Sequence, residues 1–219
     1  MKLFSFLLLT VLAHGLMAQN EVLEIHDDWR LKKDKDGIRV YTRWIEASEV
    51  RKARQMKVEM SVVASIDDFL EILKDDGNAT KWVYRAREFY NFDFKDDNNW
   101  YTYTELSIPW PFQNKDLITK NTGVRLPDEQ KVRVDLDGVM DYLPEKKSLS
   151  RIPHFEGRWT FIQVGPEEVK VEYCVFTKSE PVLPRWITDP IVEQGAWDTL
   201  NKMRTMIEMP DEAIAKSGK

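Results

Sequence analysis

The strongest constraint on this chain is a change of period. From about residue 87 to residue 177 apolar side chains recur at every second position through six successive segments, and only afterwards does a long helical period begin. The six segments are Arg87 to Phe94, Asn99 to Ile108, Leu117 to Arg125, Gln130 to Tyr142, Gly157 to Val164 and Val169 to Thr177. Their connectors, such as Asp96-Asp97-Asn98, Pro127-Asp128, Pro144-Glu145 and Gly165-Pro166, are turn formers, so the segments read as an antiparallel sheet. Then Ile187, Ile191, Trp197, Leu200, Met203 and Ile207 mark one face of a helix from about Pro184 to Met209. A long sheet with one long helix must bury its apolar face against that helix. The expected fold class is α+β, a curved antiparallel sheet around a C-terminal helix.

The flanking segments agree. Val22, Ile25 and Trp29 recur at helical spacing and predict a short opening helix. After the turn Lys35-Asp36-Gly37, alternation through Ile38, Val40, Thr42 and Trp44, and again through Met56, Val58 and Met60, predicts two more strands. Ser65-Ile66-Asp67-Asp68 has the pattern of a capping box and opens a helix on which Ile66, Phe69, Leu70 and Leu73 share a face until Gly77. Pro190 inside the last helix leaves two readings, a new start capped by Asp189 or a kink. No repeat or linker interrupts residues 20 to 210, which indicates one domain.

The N-terminus reads as a targeting segment. Lys2, the apolar run Leu3 to Leu12 and the small residues near Ala18 predict a signal peptide over 1–18, leaving residues 19–219 as a single exported domain, secreted or periplasmic. A retained membrane anchor is the alternative, although the run is shorter than the ~18 apolar residues a spanning helix needs.

Charge and side-chain inventory narrow the function classes. A net charge of -5 without a basic block gives no footprint for nucleic acid. Cys174 is alone, so no disulfide, Cys-based zinc site or iron–sulfur cluster is expected. His26 and His154 lack companions at metal-ligand spacing. No Gly-x-Ser-x-Gly elbow or phosphate-cradling glycine loop occurs, and no cofactor is implied. Asn78-Ala79-Thr80 is a sequon for a glycosylating host.

What fills the space between sheet and helix is therefore the central question. Tyr101, Tyr103, Val132, Val134, Trp159, Phe161, Val171 and Tyr173 are the expected inward positions; periodicity alone does not separate a ligand pocket from a dry core, and aromatic faces more often serve packing. Glu105 shares the face of Tyr101 and Tyr103. A buried carboxylate needs a partner or a raised pKa, so Glu105 is either a ligand contact or a solvent-facing residue. Arg133, Asp135 and Asp137 read as the wet face of their strand. Trp186 and Trp197 either form an apolar lip, with Pro181 to Pro184 before them, or pack on the sheet.

Several landmarks resemble the START (StAR-related lipid transfer) family, in order along nearly the whole chain. They are Trp29 with Lys35 to Arg43, then Trp82, the turn Pro109-Trp110-Pro111-Phe112-Gln113-Asn114-Lys115-Asp116 after Glu105-Leu106, and Leu183-Pro184-Arg185-Trp186-Ile187 leading to Leu200, Met203 and Arg204. The resemblance implies the helix-grip fold over a core of about residues 22–208, with the C-terminal helix lying across a tunnel for one lipid. It implies a ligand site from Trp82, Tyr103, Glu105, Val134, Trp159, Phe161, Tyr173 and Trp186. It further implies an entrance bordered by the loop Leu143 to Gly157, with Pro153, His154 and Phe155 as its gate. In sterol-type members an acidic residue faces an Arg in the tunnel; here Glu105 stands for the former and Asn121 for the latter. In the phosphatidylcholine type an Arg and an Asp flank the matching Trp, where this chain has Ala79 and Val83.

The expected function is a monomeric, non-enzymatic carrier of a lipid or other hydrophobic small molecule, in transient contact with membranes. One alternative is an enzyme similar to aromatase/cyclases, using Glu105, Tyr103 and Tyr173 as acid–base groups. The other is a scaffold whose interior is filled by its own side chains.

Overall fold

The structure, a computed structural model, describes residues 28–48, 51–110, 112–177 and 185–209. The expected signal peptide, most of the opening helix and the segment 178–184 lie outside the described residues. The elements in chain order are β1 (Arg30–Lys35), β2 (Ile38–Ser48), β3 (Arg51–Val63), α1 (Ile66–Lys74), the short turn α2 (Ala79–Trp82), β4 (Ala86–Asp96), β5 (Asn99–Leu106), β6 (Lys115–Leu126), β7 (Lys131–Gly138), β8 (Ser150–Arg151), β9 (Phe155–Gly165), β10 (Glu168–Thr177) and α3 (Arg185–Glu208). The strands form one sheet in the order β1-β2-β3-β10-β9-β7-β6-β5-β4, with β8 pairing parallel to the start of β6.

The opening differs from expectation. Asp28 and Trp29 are irregular, and Arg30–Lys35 is an edge strand rather than the end of a helix. Asp36 and Gly37 both adopt positive φ, 52° and 73°, which makes a tight hairpin turn and hands the segment before it to β2 as a partner. Its charge-rich sequence suits an edge, where Lys discourages pairing with another chain.

The helices follow their sequence signals. At α1 the Ser65 hydroxyl accepts from Asp68 N–H while the Asp68 carboxylate accepts from Ser65 N–H, a complete capping box. Phe69 and Leu73 are its buried face, and the Phe69 ring stacks on Phe161 of β9 at 5.1 Å. α3 runs unbroken through Pro190 and does not restart at Asp189. Its buried face is Ala196, Trp197, Leu200 and Met203, which joins Ile38, Val40, Val58, Val171 and Phe161 in the main core. Trp197 packs rather than forming a lip, and its indole N–H donates to Lys35 O at 3.1 Å. The far end of α3 is tied to the β1–β2 turn by Arg204, which donates to Asp36 O at 2.6 Å. Its near end is tied to β3 by Arg54, which pairs with both Asp189 and Glu193.

Register decides which residues see the helices. Tyr173 lies opposite Trp159, Trp159 opposite Val134, Val134 opposite Gly123 and Thr119 opposite Thr102, so these share the helix-bearing face. Tyr103 lies opposite Ile118 and Tyr90, and Glu105 opposite Asp116 and Glu88, on the other face.

Candidate functional site

Two polar and aromatic assemblies stand on the two faces of β4–β6, and only one faces the helices. On the opposite face Tyr90 stacks on Tyr103 with ring centres 5.0 Å apart, and Tyr142 stacks on Tyr101 at 4.0 Å. Residues 139–149 cross this face. They are held by Arg151, whose guanidinium donates to the carbonyls of Met140 and Leu143 at 2.7 and 2.6 Å and pairs with Asp116 at 2.7 Å. Both charges of that pair are buried. Lys146 Nζ sits 4.6 Å above the Tyr103 ring and bonds Glu88, whose carboxylate holds the ammonium protonated well above the usual lysine range. Tyr142 donates to Asp93.

This arrangement corrects three sequence expectations. Tyr101, Tyr103 and Glu105 do not line the space under α3. Tyr103 is buried, but beneath the 139–149 loop, and its burial raises the phenol pKa. Glu105 faces Arg87 at 3.6 Å and Lys146 at 4.0 Å. The Leu143 to Leu149 part of the expected entrance loop is likewise fastened across the opposite face by Arg151. Both parities of β5 are amphipathic, because the strand is covered on both sides, and alternation cannot then tell inside from outside.

The helix-bearing face brings the remaining candidates together. Trp82, Val134, Trp159, Phe161 and Tyr173 belong to one apolar cluster. Tyr173 stacks on Trp159 at 4.1 Å, and Trp82 meets Trp159 edge-on at 6.3 Å. Burial pushes the Tyr173 phenol far above its ordinary pKa, so it stays neutral. The side chain of Trp186 lies outside the described residues. Of the gate residues, His154 is exposed in a left-handed conformation (φ 50°), Pro153 is half-buried and Phe155 is buried. The Phe155 ring occupies the space above Gly157, where an added Cβ would come within 3.1 Å of it, and its backbone crosses Gly138 just as closely. Phe155 also pairs with Thr177, the last residue before the 178–184 segment.

Sequence reasoning missed a row of polar side chains on this same face. Asn91 on β4, Thr102 on β5 and Thr119 and Asn121 on β6 are all buried and bonded in series. Asn91 closes the row on α1, donating to Asp76 Oδ1 at 2.8 Å and Leu73 O at 3.3 Å. On the same side of the sheet the indole N–H groups of Trp100, opposite Asn121, and of Trp82, edge-on to Trp159, are buried without an acceptor among the described residues. The signal was present in Trp100, Thr102 and Thr104, the parity of β5 that was read as outward.

The middle of the space between sheet and helices holds packed side chains: Phe69, Phe161, Leu200 and Met203 are fully buried there. Open clefts lie elsewhere among the described residues. One of about 600 Å³ runs past Ile66, Arg125, Lys131 and Val164 at the far end of the sheet. Another, of about 190 Å³, lies between Trp44, Arg54 and Asp189. Among the described residues no three His, Cys, Asp or Glu side chains gather as a metal site, and no helix is long and apolar enough to cross a membrane.

Comparison with known proteins places this architecture. No family profile matches the chain. An uncharacterized protein of Pseudomonas aeruginosa is 28% identical over 206 residues, covering 93% of this chain and 98% of its own. Among solved structures, a STAR-related lipid transfer protein from Xanthomonas axonopodis (fragment 25-204) superposes with a TM-score of 0.74 at 28% identity, covering 84% of this chain and all of its own. Human STARD10 gives 0.68 at 18% identity, covering 84% of this chain and 74% of its own. The Zhui aromatase/cyclase of Streptomyces gives 0.52 at 11%, covering 71% and 94%, a likeness of fold alone. With its antiparallel sheet wrapped on a C-terminal helix, this chain has the START-domain helix-grip fold.

Proposed function

We propose that this protein binds one hydrophobic, lipid-type molecule between α3 and the helix-bearing face of the sheet. The observation that carries the reading is the pair of buried indole N–H groups, Trp82 and Trp100, without an acceptor among the described residues, on the face where the apolar cluster and the polar row meet. Each orphaned donor costs roughly 1–3 kcal/mol, and an oxygen-bearing ligand relieves that cost. Each buried methylene of its tail adds about 0.8 kcal/mol. The description of the Xanthomonas neighbour as a lipid transfer protein supports the same reading.

Trp82, Val134, Trp159, Phe161 and Tyr173 are the proposed apolar wall. Admission requires side chains to move, and Phe155 above Gly157 is placed to do so, with Pro153 and His154 at its hinge. The cyclase alternative is not favoured, because Tyr103 and Glu105 lie on the opposite face and leave Tyr173 as the one acid–base candidate of the three inside. Export through removal of residues 1–18 and transient membrane contact complete the proposal; an intact mass lacking those residues is the expected result for protein recovered from its native host.

The experiment is native mass spectrometry of protein purified without detergent. One lipid mass per chain, released on denaturation, is expected. A bare chain that also takes up no long-chain lipid on incubation would overturn the proposal.

A further inference from the structure

The buried polar row has a direction, and the direction selects a ligand. Asp76 Oδ1 accepts from both the backbone N–H and the side-chain amide of Asn91, at 2.7 and 2.8 Å, and Leu73 O accepts from the same amide. The Asn91 amide nitrogen is thereby fixed toward α1, so its oxygen must face Thr102. Thr102 Oγ1, 2.6 Å away, has to donate to it. With that hydrogen spent, Thr102 can only accept from Asn121 Nδ2, also at 2.6 Å. The Asn121 oxygen is then left to take the hydrogen of Thr119 at 2.9 Å. Each hydrogen bond that links the row runs toward Asp76, the second Asn121 amide hydrogen standing outside the series, and Thr119 Oγ1 at its head can offer only lone pairs.

Thr119 is placed to use them. Across the strand on one side stands Thr102, and on the other Gly138, which has no side chain; Phe155, the proposed gate, closes over Gly138. Charge is arranged differently. On this face of β5–β7 the cations, Lys115 and Arg125, stand at the two ends of β6, with no charged residue between them. Arg125 is already paired with Asp67 at 2.5 Å. A phosphate or carboxylate at the level of Thr119 would be buried without a counter-charge from these strands, which is strongly unfavourable.

We propose that the ligand is a neutral lipid bearing a free hydroxyl, which donates to Thr119 Oγ1. This rests on the lipid-binding reading above and names the ligand class. A carbonyl or ether oxygen, having no hydrogen to donate, would give Thr119 nothing.

The test compares two isomers, heptadecanol with a terminal hydroxyl and methyl hexadecyl ether, titrated separately into the full chain and read by native mass spectrometry. They match in size and acceptor oxygen and differ in the donor hydrogen. The alcohol is expected to bind about tenfold more tightly, the worth of one hydrogen bond. Thr119→Val should bring the ratio near one, and Thr119→Ser, which keeps the hydroxyl, should preserve it. Equal binding of both isomers by the unmodified chain, or a preference surviving in a folded Thr119→Val, overturns the ligand class while leaving lipid binding intact. If Thr119→Val does not fold, the isomer ratio of the unmodified chain and of Thr119→Ser decides. Failure of both isomers to bind overturns lipid binding itself.

Discussion

Arg151 shows how one side chain shapes a surface far from the helices. Its guanidinium spans the Asp116 carboxylate and the carbonyls of the loop that covers β5, so removing it strands a buried anion and frees a loop together. Arg151→Met should destabilise the fold by about 3–5 kcal/mol in urea denaturation, and the double change Arg151→Met with Asp116→Leu should recover much of that loss. Cys174 is the opposite kind of residue. Burial pushes its thiol up to about 11, with Arg43, Arg158 and Lys57 offsetting only part of the effect. Since the thiolate is the nucleophile, iodoacetamide should alkylate the folded protein slowly at neutral pH, and the rate should climb only as pH nears that value; fast modification at pH 7 would contradict the placement. At this scale the sequence was readable wherever one face of a strand is wet. It identified Val134, Trp159, Phe161 and Tyr173 as a shared face, and failed at Tyr103 and Glu105 because β5 is covered on both sides.

Elements were legible in proportion to their local signals. The capping box announced α1, and the spacing of Trp197, Leu200 and Met203 announced α3. β1 was misread because a charged edge strand has no apolar alternation to show, and the two-residue β8 because its pairing with β6 is non-local. Removing the α1 cap with Ser65→Ala should cost about 1 kcal/mol, seen as a lower midpoint in thermal or urea denaturation. α3 depends on a close approach that spacing could not reveal. A Cβ on Gly195 would come within 2.7 Å of the Tyr84 ring, whose own backbone N–H donates to Thr199 of the same helix. Gly195→Ala is therefore expected to destabilise by about 1–3 kcal/mol despite the better helix propensity of Ala. Pairing it with Tyr84→Ala should remove the penalty specific to the clash; if Gly195→Ala proves stabilising alone, the tight seating of α3 is wrong.

For the whole molecule, the sheet serves two separate interiors. The opposite face is covered by the 139–149 loop with charges paired and rings stacked, and beneath it the Tyr103 hydroxyl is buried without a partner among the described residues. The helix-bearing face is the less complete: two indole donors lack acceptors among the described residues, and a polar row ends on lone pairs at Thr119. The succession of most helices and strands could be read along the chain, whereas this asymmetry depends on register, which is set across strands far apart in sequence. The account locates function in the less complete interior. Its most direct test is a crystal structure of the chain with a long-chain alcohol brominated at its tail, using anomalous scattering to find the bromine. The account predicts the bromine among Trp82, Trp159 and Phe161, with the hydroxyl end at Thr119. Bromine in the open cleft beside Lys131 and Val164, or on the face of Tyr103 and Glu105, would contradict it.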